Sequence, residues 1–85
     1  MKHASHPEIV KRLRRAEGHL RSVIAMMETN RPCADVAQQL HAVEAAVSKA
    51  KRELIHDHIE HCLEAGSNGD GKPELAELKQ LAKYL

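Results

Sequence analysis

Between Cys33 and Ala65 the chain contains neither proline nor glycine. Over that stretch Val36, Leu40, Val43, Val47, Ala50 and Leu54 recur at alternating steps of four and three, and His58 and Cys62 continue the series. Such alternation keeps one apolar seam on one side of an α-helix with almost no drift, the pattern of a helix packed lengthwise against others. It predicts a single helix of about thirty residues. The two short helices left in the chain are too small to cover such a seam, so the pattern also predicts self-association.

The flanks support this. Pro7, with Ser5 or His6 before it, fits a first helical turn. Leu13, Ala16, Leu20, Ile24 and Met27 then form a helical stripe that runs to about Thr29, before the break at Asn30-Arg31-Pro32. Gly18 interrupts the stripe at some cost relative to alanine and points to close backbone packing. Residues 66–72, opening Gly66-Ser67-Asn68-Gly69, read as a loop. Pro73 restarts a short helix with Leu75, Leu78, Leu81 and Leu85 on its apolar side. The expectation is an all-α chain of three helices with a long central one, forming one domain over 1–85 behind a flexible leader at 1–6. No internal repeat is evident.

Composition narrows the class. With no Trp or Phe and only Tyr84, the core must be built from Leu, Ile, Val, Ala and Met. A small, alanine-rich chain of that kind suits helix-on-helix packing and oligomerisation better than a lone globule. The formal charge of +1 hides an asymmetry: residues 1–31 carry seven Lys/Arg against three Glu. No apolar run is long enough to span a bilayer, and the polar N-terminus lacks the core of a secretion signal, so the chain reads as cytoplasmic with no membrane partner. In a reducing compartment two cysteines are better ligands or sensors than a disulfide.

His58 and Cys62 stand at i, i+4, side by side on one helix face. Cys33 precedes His58 by 25 residues, roughly 37 Å along an unbroken helix. These three cannot close on one ion within one chain. An antiparallel partner helix would bring Cys33 of one subunit beside His58 and Cys62 of the other. Its two-fold axis would fall between Ala45 and Ser48, where small residues allow close approach, and an isologous dimer would then hold two Cys-His-Cys sites. Two thiolates and one imidazole suit Cu(I), whereas Zn(II) would want a fourth ligand. The bland alternative is that Cys33 is a small core residue and His58/Cys62 a chance pair.

Among the other histidines, His3 and His6 lie in the leader, either solvated or adding ligands for Ni(II) or Co(II). His56 and His61 flank the seam as surface residues, and His61 can substitute for its neighbour as a ligand. His19 and His41 read as residues that either support a ligand from behind or pack. Lys11, Arg12, Arg14 and Arg15 cluster on the first helix, and Lys49, Lys51 and Arg52 on the second. These could track phosphates, or be an ordinary solvated face. No helix-turn-helix or zinc-finger pattern accompanies them. No catalytic arrangement is present either, so the chain does not read as an enzyme.

Arg12-Leu13-Arg14-Arg15-Ala16-Glu17-Gly18-His19-Leu20, Cys33-Ala34-Asp35-Val36 with Gln38-Gln39-Leu40-His41-Ala42-Val43, and His56-Asp57-His58-Ile59-Glu60-His61-Cys62 together resemble the copper-sensitive operon repressor family over nearly the whole chain. The resemblance implies an antiparallel helical dimer assembling as a dimer of dimers, a homotetramer. It implies metal held by Cys33 of one subunit and His58 and Cys62 of another, and operator DNA released when Cu(I) binds. Arg12, Lys49 and Arg52, with Arg15 behind them, match basic positions implicated in DNA binding. Glu77 matches a third-helix glutamate linked to allosteric coupling. Two departures bear on the signal. Pro32 stands where copper sensors of the family tend to have an aromatic residue, and His3 and His6 leave nickel or cobalt open. The rivals are the same repressor sensing Ni(II) or Co(II), or sensing formaldehyde or persulfide through Cys33. A cytosolic metal buffer with no DNA role is the rival from another class.

Overall fold

The structure is a computed structural model in which residues 6–67 and 75–85 are described, the backbone alone over 62–67. Three helices follow one another: α1 over His6–Glu28, α2 over Cys33–Ser67 and α3 over Leu75–Ala82. No strand occurs among the described residues. Residues 1–5, with His3, and residues 68–74, with most of the expected loop and the expected helix start at Pro73, lie outside them.

The turn between α1 and α2 is short because both helix ends satisfy their own backbone. At the end of α1 the Asn30 amide donates to the Met27 carbonyl at 3.2 Å and the Arg31 amide to that of Met26 at 3.0 Å. Asn30 takes φ 57°, the left-handed conformation that this cap requires and that asparagine tolerates best after glycine. Pro32 then opens α2: its carbonyl accepts from Asp35 and Val36 at 3.0 and 3.1 Å. Its missing N–H costs nothing at that point. The chain reverses within four residues, 29 to 32, and α2 runs back along α1.

The antiparallel register is tied at two heights, by Arg12 to Glu53 and by His19 to Gln39. Between the helices lies a core of Ile9, Ala16 and Val23 from α1 and Val43 and Ala50 from α2, and Ile55 is buried further along α2. Ile9, Ala16 and Val23 repeat every seven residues, so the face of α1 turned to α2 is offset from the stripe read in the sequence. Leu13, Leu20, Ile24 and Met27 of that stripe are exposed. The seam of α2 divides likewise: Val43 and Ala50 are buried against α1, while Leu40, Val47 and Leu54 are open at 46, 45 and 41 %.

Four other expectations change. Gly18 is exposed, and a Cβ built there would meet nothing within 4 Å, so the predicted close backbone approach is absent in the single chain. Gly66 and Ser67, expected in a loop, are the last two residues of α2. Leu75, and Leu85 beyond the end of the third helix, face solvent, and the half-buried residues of that helix are Glu77, Leu78 and Leu81. His41 is exposed rather than packed.

Candidate metal centre and nucleic-acid interface

α2 is one unbroken helix of 35 residues. Cys33 is its first residue and His58 stands seven turns on, roughly 37 Å away by helical rise. Cys33 is exposed with a free thiol, not a core residue. His58 is four-fifths buried, and its Nε2 lies 3.0 Å from Oε1 of Glu77 on α3. Cys62 follows His58 by one turn of α2; its side chain lies outside the described residues. Among the described residues no three His, Cys, Asp or Glu side chains converge as a metal site. The single chain thus holds the two ends of the expected ligand set well apart.

The flanking histidines sort by environment. His61 Nε2 is 3.8 Å from Oδ1 of Asp57, an i, i+4 pair on α2. Asp57 is a functional neighbour whose i, i+4 spacing to His61 is legible in the sequence. His6 is not part of a leader: it opens α1 and is half-buried. His56 is exposed.

The basic residues separate into two groups. Arg12 and Arg15 line a notch between α1 and α2 with Ala16, His19 and Ala46. Arg12 Nε is 3.4 Å from Oε2 of Glu53, a partly solvated pair that orients the guanidinium more than it stabilises the fold. Arg52 lies on the open side of α2, in a shallow groove with Glu44, Val47, Ser48 and Lys51. It donates from a terminal nitrogen to Ser48 Oγ at 3.0 Å. Lys49 is exposed on the same helix. Glu53 and Gln39 are not legible in the sequence as positioning residues, because only the register of α1 on α2 brings them to their partners.

Residues 5–85 match the metal-sensitive transcriptional repressors. The chain belongs to that family. Its members are repressors, not enzymes.

The copper-sensing transcriptional repressor CsoR of Bacillus subtilis is 38 % identical over 77 residues, which cover 89 % of this chain and 76 % of that protein. CsoR of Mycobacterium ulcerans is 38 % identical over 74 residues, 86 % of this chain, and the match spans only 63 % of that protein's length. The copper-sensing repressor RicR of Mycobacterium tuberculosis is 39 % identical over 67 residues, 73 % of this chain and 70 % of its own. A solved structure of the nickel-responsive regulator InrS superposes with a TM-score of 0.82 at 38 % identity, covering 100 % of this chain and 98 % of that one. The three-helix fold is therefore the fold of a metal-sensitive repressor. None of its described helices is long and apolar enough to cross a membrane.

Proposed function

We propose that this chain is a Cu(I)-responsive repressor that holds operator DNA when metal-free and releases it when Cu(I) binds between subunits. The observation that carries this reading is the continuity of α2, which keeps Cys33 and His58 at a distance only a second subunit can bridge. Cys33 of one subunit and His58 and Cys62 of its partner would supply two sulfurs and one nitrogen, a soft donor set that favours Cu(I). With Nε2 turned to Glu77, His58 would ligate through Nδ1, since a ring nitrogen that carries the hydrogen cannot bind metal. The copper-sensing relatives support the same metal.

Nickel is the second reading, favoured by the likeness to InrS. A harder ion would draw on nitrogen ligands, with His6 or His61 the described candidates and His3 the other. An anaerobic titration with Cu(I), Ni(II), Co(II) and Zn(II), following release of its own promoter DNA by fluorescence anisotropy, separates these. Stoichiometric Cu(I) should release the DNA; release by Ni(II) at lower free metal would reassign the signal.

A further inference from the structure

The notch between α1 and α2 stands apart from the metal ligands. It is an opening of about 210 Å³ lined by Arg12, Arg15, Ala16 and His19 of α1 and Ala46 of α2. Arg12, Arg15 and His19 are spaced i, i+3, i+7, which stacks them along one edge of the helix. The two alanines keep the floor low, so three cationic or ionisable side chains surround a space free of bulk.

His19 is half-buried, and its Nε2 lies 2.7 Å from Oε1 of Gln39. The amide oxygen accepts, so Nε2 carries the hydrogen, and in the neutral ring the lone pair is on Nδ1. Protonation at Nδ1 adds a donor and a positive charge without disturbing the tie to Gln39. Arg12 meets Glu53 through Nε, which leaves its two terminal nitrogens for another acceptor. Along the facing edge of α2, Asp35 stands one turn before Gln39, Lys49 one turn beyond Ala46 and Glu53 two turns beyond it. Of the two acids, Glu53 is already matched by Arg12.

We propose that Arg12, Arg15 and His19 form one seat for a DNA phosphodiester, in which His19 acts as the imidazolium, so that holding DNA takes up a proton; this rests on the DNA-holding role proposed above. Imidazole is the side chain whose charge changes near neutral pH, and a bound phosphate favours its charged form. Protonation and DNA binding are then linked. Affinity falls as pH rises, by up to about tenfold per pH unit for each proton taken up.

The test is the affinity of the metal-free protein for its promoter DNA between pH 6 and 8 at constant ionic strength. Wild-type affinity should climb as pH falls. His19→Gln keeps an amide able to donate to Gln39 but cannot protonate, and should flatten that climb while keeping the helical circular dichroism. His41→Gln, at an exposed site on α2, should keep the wild-type slope. A His19→Gln protein that binds DNA with an unchanged slope overturns the seat. Wild-type protein that binds DNA at no pH overturns the repressor reading and the seat together, a distinct result. Millimolar inorganic phosphate alone should not move the His19 imidazole resonances. If it does so at equal ionic strength, the notch is a free-anion site and the proposal fails.

Discussion

Glu77 joins the short third helix to the helix that carries the candidate ligands. Its carboxylate oxygen lies 3.0 Å from His58 Nε2, while its side chain is 45 % exposed. Water screens such a contact, so its net worth is modest, which suits a switch better than a girder. A cation on Nδ1 would polarise the ring and strengthen Nε2–H as a donor to that carboxylate. Coupling of about 1–3 kcal/mol through this contact would shift DNA affinity roughly 5- to 150-fold. Glu77→Ala should therefore keep Cu(I) affinity largely intact, by competition with a Cu(I) chelator, and weaken Cu(I)-driven release of DNA. Full release by that variant at saturating Cu(I) would rule this route out. Among the basic residues, Lys49→Ala or Arg52→Ala should lower DNA affinity and flatten its salt dependence by about one unit for each phosphate that is no longer neutralised.

At the scale of elements, two backbone positions have consequences that stability measurements can read. Gly18 sits in the interior of α1 with open space around its Cα. Gly18→Ala should raise stability by about 0.5–1 kcal/mol, measured by urea unfolding at fixed protomer concentration, because alanine loses less backbone entropy in a helix. Asn30 holds the left-handed cap between α1 and α2. Asn30→Gly should be neutral or slightly stabilising, whereas Asn30→Val should cost about 1–2 kcal/mol, because a β-branched side chain crowds the backbone there and lacks the polar group that lets asparagine adopt this conformation. If both replacements prove equal, the cap is not what sets the turn. The three helices themselves were legible because helix formation is local: uninterrupted spacing, a Pro32 start and an Asn30 stop lie within a few residues of each boundary. The end of α2 was harder, since Gly66 reads as a terminator yet stays helical, as does Ser67 after it.

The whole molecule measures 58 × 23 × 13 Å, a slab about one helix diameter thick. Among the described residues only six apolar side chains are buried, two of them alanines, while Leu13, Leu20, Leu40, Val47 and Leu54 remain open. So thin a core in so small a chain calls for oligomerisation. Sedimentation at micromolar concentration should show a dimer or larger, and Val47→Glu should shift it toward monomer and abolish tight Cu(I) binding. A monomeric Val47→Glu protein that still bound Cu(I) tightly would contradict a shared site. Mixing Cys33→Ala with Cys62→Ala subunits gives the converse check: under demonstrated exchange, one intact site should return per heterodimer.

Residue spacing was enough to determine three helices, their order and the separation of Cys33 from His58, because each depends on hydrogen bonds within a few turns of one helix. The same spacing could not say which half of a two-sided stripe faces inward. Val43 and Leu40 are both apolar, and the choice between them is made by the angle at which α1 lies on α2. That packing also buries Ile9 and Val23, which stood outside the predicted stripes, and leaves Gly18 in the open. The contacts of Arg12 with Glu53, His19 with Gln39 and His58 with Glu77 join residues far apart in sequence. No local pattern encodes such pairs; they exist only once the helices are docked in register.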